Sequence, residues 1–280
     1  QINNRKKILI TGGRSKLTAP LIQYFKKKKY QIALISKNDL ETQDNKIKIY
    51  KVDLTNGVNI DFKPDIIIHM AAYVPYNHKD MSEDEDTYIK NVKSCTKILE
   101  FAIKFRVKRF IMISSIDVYG KPNQKVVTEK TICKPINIYG LAKLACEKIS
   151  YTFSFVNDLN VSIVRFGPIV GPNMSKNLKI FKMVSDLLSG KEVIIQDCDS
   201  YVSFLSEEDA AEAIIKVYEK EEKFSIYNIS GAYVKIKYLF RGFIKKNDIK
   251  FNAEFRYEKK TKNLIIFSNK KAKENLNWKP

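Results

Sequence analysis

Ile8-Leu9-Ile10-Thr11-Gly12-Gly13-Arg14-Ser15-Lys16-Leu17-Thr18 joins a wholly apolar triplet to a helical segment through two glycines. Consecutive apolar residues of this kind suit a strand buried on both faces. Glycines at its end permit a tight turn and a close approach of backbone. The same order of strand and helix repeats along the chain. Further apolar runs are Ile32-Ala33-Leu34-Ile35, Ile47 to Val52 (half-exposed), Ile66-Ile67-Ile68, Phe110-Ile111-Met112-Ile113 and Ser162-Ile163-Val164. Helices are predicted near 16–29, 87–105 and 137–157, the last with Leu141, Leu144, Ala145 and Ile149 at helical spacing. Continuous apolar strands separated by helices predict an α/β protein with a doubly wound parallel sheet covered on both faces.

After Pro172 the strict alternation fades. A helix near 176–189 ends at Gly190, short strands and a helix from Glu207 to about Lys220 follow, and Ser225 to Ile229 reads as another strand. Ser268 to Pro280 reads as a short helix and a closing turn. The division expected is a sheet domain over 1–172, with segments near 200–230 returning to it, and a smaller C-terminal lobe over 173–280.

Composition narrows the class. No apolar run reaches the roughly 18 residues of a membrane helix, and residues 1–7 lack the apolar core of a secretory signal. The reading is a cytoplasmic chain. Cys95, Cys133, Cys146 and Cys198 show no CxxC spacing, which argues for free thiols and against a metal site. The formal net charge of +19 points to nucleic acid, an anionic membrane or an anionic substrate. The lysines are dispersed, however. Their one run, Lys26 to Lys29, ends the first predicted helix, where cations suit the helix dipole. The charge is therefore read as compositional, in a chain that favours Lys, Ile and Asn throughout, with a polyanion site as the alternative.

The turn Thr11 to Thr18 stands where a dinucleotide fold seats pyrophosphate on a helix N-terminus. Gly12 supplies the turn, and Arg14 and Ser15 are candidate phosphate contacts. A site for NAD places Asp or Glu at the end of the second strand to bind the ribose hydroxyls. This chain has Ser36-Lys37-Asn38 there, and no acid before Asp39. Lys37 and Arg14 suit a 2′-phosphate, so the reading leans to NADP, with NAD as the alternative.

Tyr139-Gly140-Leu141-Ala142-Lys143 places Tyr and Lys one helical turn apart on one face. A phenol ordinarily titrates near pH 10, and a neighbouring ammonium favours its ionised form. Ser114-Ser115-Ile116-Asp117-Val118-Tyr119-Gly120 follows the fifth predicted strand, at the sheet edge where doubly wound folds bind ligands. A Ser hydroxyl there can hydrogen-bond an oxygen that gains or loses a proton. Its alternative role is to cap the strand end.

SSxxVYG followed by YGxxK resembles the extended short-chain dehydrogenases, the NAD-dependent epimerase/dehydratase group that acts largely on nucleotide sugars. Further segments resemble that family in order: Asp53-Leu54, His69-Met70-Ala71-Ala72, Asn91 with Thr96, Leu99 and Glu100, Arg165 through Gly171-Pro172, Phe204-Leu205 with Glu208-Asp209, Tyr227-Asn228-Ile229, and Leu276-Asn277-Trp278-Lys279-Pro280. The resemblance covers nearly the whole chain and implies a Rossmann-like fold. It implies Tyr139 as acid/base, Lys143 as its partner and a ribose ligand, and Ser115 as hydrogen-bond donor. It also implies Asp53, Leu54, Ala71, Ala72, Asn91 and Ile169 at the cofactor. Val74, Asp117 and Arg165 join Ser115 at the substrate, and the helices near 87–105 and 137–157 form a homodimer.

Departures from the family pattern are concentrated where phosphates are held. The second and third turn glycines are Ser15 and Thr18, and the positions of the usual diphosphate ligands are Pro168 and Val202. Dehydratases carry Asp-Glu where this chain has Ile116-Asp117, which argues against water elimination. Three readings follow. The first is a nucleotide-sugar enzyme that reduces a 4-ketone or epimerises C4. The second is an NADP-dependent ketone or alcohol oxidoreductase on a non-nucleotide substrate. The third is a non-enzymatic basic scaffold that binds RNA or a protein.

Overall fold

The fold comes from a computed structural model that describes residues 5–74, 81–171, 179–195, 198–247, 253–256 and 264–280. Seven strands form the main sheet: β1 (Lys7–Thr11), β2 (Gln31–Ser36), β3 (Ile47–Lys51), β4 (Ile66–His69), β5 (Arg109–Ser115), β6 (Asn160–Phe166) and β7 (Phe224–Ile229). Their spatial order is β3-β2-β1-β4-β5-β6-β7, and every pairing is parallel. This is the doubly wound, Rossmann-like sheet expected. The chain winds outward from β1 to β3, crosses back to β4 and winds the other way. The reversal leaves a crevice between the carboxyl ends of β1 and β4.

Helices cover both faces. They are α1 (Thr18–Lys27), α2 (Met81–Lys104), α3 (Ile138–Asn157), α4 (Lys179–Leu188), α5 (Glu207–Glu219), α6 (Ile236–Lys246) and α7 (Lys270–Leu276). Residues of α1, α5 and α7 share one core with the sheet, around Leu21, Phe25, Ile214 and Trp278. Residues of α2 and α3 share the other, around Ile98, Leu99, Phe101 and Cys146. Ile32 to Ser36 of β2 and all of β4 are buried, which is why these strands read as unbroken apolar runs. Helix α2 starts six residues before the predicted position, because Met81 to Asp86 carry no apolar periodicity. The expected start of α4, at 176–178, lies outside the described residues.

A separate apolar cluster gathers Leu187, Val193, Ile195, Cys198 and Phe240. A small sheet pairs Tyr201–Ser206 with Ala232–Lys235 and with Ile169–Val170. Ala272, Leu276 and Trp278 are buried in the core of the main sheet, beside α5. The Trp278 indole N–H donates to the Asp209 carbonyl at 3.1 Å. All four cysteines are free thiols, and among the described residues no helix is long and apolar enough to cross a membrane.

Candidate active site

The crevice at the switch point is a cavity of about 330 Å³. Gly12, Arg14 and Ser15 form its floor after β1, Lys37 its rim after β2, and Asp53 and Leu54 one wall after β3. Ala71 and Ala72 after β4 and Asn91 of α2 close the opposite side. Gly12 has φ +76°, and a Cβ there would stand 2.8 Å from the Ala71 amide nitrogen. No side chain fits, so the phosphate turn and the β4 turn approach through bare backbone. Ser15 donates its amide to the Gly12 carbonyl at 2.7 Å, and its hydroxyl accepts from Leu17 N–H at 3.4 Å. Thr18, at the third glycine position, is buried and its hydroxyl donates to the Gly12 carbonyl at 3.5 Å. The turn therefore keeps its close approach at Gly12 and absorbs the two lost glycines by local hydrogen bonding.

The electrostatics of the rim are set by Lys37 and Asp53, paired at 2.9 Å. That contact draws the Asp53 carboxyl down to about 2, against a smaller upward push from burial and with further help from Thr55. Asp53 also caps the short turn Leu54–Asn56, accepting from Thr55 N–H at 3.0 Å and Thr55 O–H at 2.8 Å. Asn91 clamps the wall. Its amide donates to the carbonyls of Tyr73 and Thr87, both at 2.7 Å, and its oxygen accepts from Tyr73 N–H at 3.0 Å. Behind Gly12, Thr11 Oγ1 accepts from Ala71 N–H at 3.2 Å and meets His69 Nδ1 at 2.7 Å. Thr11 Oγ1 thus holds the β4 turn and the His69 ring together through one hydroxyl. Burial, assisted by the nearby Lys143 ammonium, pushes His69 down to about 3.

The second half of the site sits at the ends of β5 and α3. Lys143 is buried and donates to the Ile113 carbonyl at 2.9 Å, with its ammonium 5.6 Å from the centroid of the Tyr139 ring. Ser115 is half-buried at the end of β5. Its hydroxyl donates to the Asp117 carboxylate at 3.1 Å and accepts the Asp117 amide at 3.1 Å, capping the 3₁₀ turn Ile116–Tyr119. The capping role weighed for this serine is thus present, and it aims Asp117 at the same hydroxyl. Ile169 pairs with Leu205 at the lobe and does not line the 330 Å³ cavity. Val74 is exposed.

Arg165, expected at the substrate, has a buried guanidinium held by both oxygens of Glu147, at 2.9 and 2.6 Å. The physical reason is register. Arg165 sits opposite Ser114 in the sheet, on the side covered by α3, where Glu147 meets it. Glu147 itself was missed. Its signal was an acid one turn beyond Lys143 on a helix face that also carries Cys146 and Ser150, all three buried.

The fold and this placement define a Rossmann-like protein with a Tyr-x-x-x-Lys pair beside the sheet's carboxyl edge. The chain belongs to the NAD dependent epimerase/dehydratase family, whose model matches residues 8–230. Among curated relatives, Protein CapI of Staphylococcus aureus is 26% identical over 63% of this chain and 53% of its own length. The dTDP-D-glucose 4,6-dehydratase of Dictyostelium discoideum is 27% identical over 80% of this chain and 58% of its own. The chain thus spans little more than half the length of these two relatives. Among solved structures, the UDP-glucose 4-epimerase of Thermotoga maritima superposes with a TM-score of 0.81 at 22% identity, covering 98% of this chain and 93% of that one. At that identity the superposition speaks for the fold alone.

Proposed function

We propose that the chain is an NAD(P)-dependent enzyme that epimerises C4 of a nucleotide sugar or reduces its 4-ketone. The observation that carries this reading is the Lys143 ammonium, fixed on the Ile113 carbonyl and facing the Tyr139 ring, at the carboxyl end of the strand that bears Ser115. The bare-backbone contact at Gly12 and the Asp53-lined cavity fit the adenosine and pyrophosphate of a nicotinamide dinucleotide. That group, when bound, supplies hydride acceptance and donation. The chain's own part is to move the proton. The Tyr139 oxygen takes the proton of the sugar 4-hydroxyl in the oxidative direction and returns it to the carbonyl oxygen in the reductive one. Lys143 stabilises the negative charge that develops on that phenol oxygen. The Ser115 hydroxyl turns from Asp117 to the substrate oxygen. Ile116 offers no proton to a leaving hydroxyl, so elimination is not part of the proposal.

NADP is supported by the absence of an acid at the end of β2 and by Arg14, which is exposed and makes no ion pair among the described residues. Against it, Lys37 already shares its charge with Asp53, and the solved relative MoeE5 holds NAD. A homodimer is supported by exposed Ile89 on α2 and Leu141, Tyr151 and Phe155 on α3. The four free thiols suit the reducing cytoplasm. A second reading, a ketone reductase on a non-nucleotide substrate, is favoured by Pro168 and Val202 at the diphosphate positions.

The test begins with calorimetry of NAD(H) and NADP(H); failure of both to bind below millimolar sinks the enzyme reading. UDP-, dTDP- and GDP-sugars and their 4-keto forms are then assayed against simple ketones. Tyr139→Phe is expected to cut turnover by roughly 10² to 10⁴ and to leave cofactor affinity nearly unchanged.

A further inference from the structure

We propose that the buried Glu147–Arg165 pair is the positioning device of the site, fixing the rotation and height of α3 so that Tyr139 and Lys143 meet the end of β5. The inference rests on the reading of Tyr139 and Lys143 as the reacting pair. Both members of the ion pair are 3% exposed. The guanidinium grips the carboxylate in fork fashion, Nε to one oxygen at 2.9 Å and Nη2 to the other at 2.6 Å. The same carboxylate accepts the Ser114 hydroxyl at 2.5 Å. The remaining guanidinium nitrogen, Nη1, donates to the Tyr119 hydroxyl at 2.7 Å, and that hydroxyl donates to the Asn228 side-chain oxygen at 2.7 Å. One connected set of polar groups therefore joins the carboxyl ends of β5, β6 and β7, the 3₁₀ turn after β5, and α3.

A buried ion pair is a poor way to add stability, because desolvation of two charges offsets most of their attraction. Its specific contribution is direction. A bidentate fork tolerates little rotation, whereas apolar residues of similar volume pack in several orientations. Glu147 lies one turn beyond Lys143 and two beyond Tyr139, so the three share a face of α3. Each residue step along a helix turns it by about 100° and advances it about 1.5 Å. A small slip at Glu147 is therefore transmitted to Tyr139 as an error of position. Two neighbouring contacts demand the same alignment. Lys143 reaches the Ile113 carbonyl at 2.9 Å, and a Cβ on Gly140 would stand 2.6 Å from the Asp117 carbonyl, so the first turn of α3 rides directly on the 3₁₀ turn. Ser114, whose hydroxyl joins the network, is the chain neighbour of Ser115. Arg165 and Glu147 thus act through Tyr139, Lys143 and Ser115 without touching substrate.

The test replaces the pair with apolar residues, Glu147→Leu together with Arg165→Met, and separately removes one hydrogen bond with Ser114→Ala, which keeps the fold should the double variant not. The quantities read are the melting temperature, kcat and KM on the best nucleotide-sugar substrate, the cofactor affinity, and the titration of Tyr139 by NMR of ring-labelled tyrosine, assigned with Tyr139→Phe. A misplacement of about 1 Å costs on the order of 10²-fold in rate. The double variant is expected to melt within a few degrees of the parent and to lose kcat by roughly 10- to 100-fold, with KM and cofactor affinity nearly kept and a displaced Tyr139 titration. Ser114→Ala is expected to move kcat and the titration the same way by less. Folded variants with parental kcat and an unmoved Tyr139 titration overturn the proposal. If the parent turns over no sugar, the functional reading fails, and the titration still decides the positioning role, since it requires no substrate.

Discussion

His69 shows how a single residue links the site to stability. It is 4% exposed, its ring is hydrogen-bonded to Thr11, and it is pushed from its ordinary 6.5 down to about 3, chiefly by burial. Between those values the unfolded chain binds a proton that the folded chain refuses. Stability from this residue is complete above about pH 6.5 and falls as the pH drops toward 3, by up to about 1.4 kcal/mol per pH unit. Urea midpoints measured from pH 6.5 to 4.5, above the range of most carboxylates, should show that slope in the parent. His69→Gln should flatten it while lowering stability overall, and an unchanged slope would assign the effect elsewhere. The sequence marks His69 only as a segment match. Its neutrality follows from burial beside Lys143, which is not legible in the chain alone.

At the scale of elements, α3 carries most of the site. Asn137 caps it, accepting from Gly140 N–H at 2.6 Å, and Tyr139 lies within that capped first turn. Loss of an Asn cap costs about 1 kcal/mol. Asn137→Ala is expected to lower stability by that amount and to speed amide hydrogen exchange at residues 139–141, and Asn137→Ser should restore both. Exchange that stays at the parental rate would show that packing against the 3₁₀ turn, and not the cap, holds the first turn. Apolar periodicity located α3 to within one residue of its start, because its buried face is continuous. The same periodicity placed α2 late, where its first six residues are without apolar pattern. Part of the 330 Å³ cavity was legible for a related reason. Gly12, Arg14, Ser15 and Lys37 follow strand ends that are visible as the limits of apolar runs, whereas Asp53, Leu54, Ala71, Ala72 and Asn91 came from the family resemblance.

At the scale of the whole molecule, the segment 270–280 packs back on the core of the main sheet. Trp278 is 1% exposed, packs in the core shared by α1, α5 and the sheet, and donates to the Asp209 carbonyl. Replacing a buried Trp by Ala costs about 3–5 kcal/mol. Trp278→Ala is expected to lose that much in urea unfolding. An unchanged urea midpoint would contradict the packing described. A tail that packs on this core has no local signature, since its short helix has the same pattern against any apolar surface.

The sequence by itself determined the doubly wound sheet, the two-faced helical cover and the strand-end positions of Gly12 and Ser115, which follow from periodicity and turn chemistry acting between near neighbours; Asp53 and Ala71 came from the family resemblance. Only the tertiary structure decided that Arg165 is spent on Glu147, that Lys37 is shared with Asp53, that Ser115 holds Asp117, and that the tail packs on α5. Those outcomes depend on sheet register and helix rotation. A register sets which side chains meet across elements far apart in the chain, and a charged residue carries no mark of its partner until that register is formed.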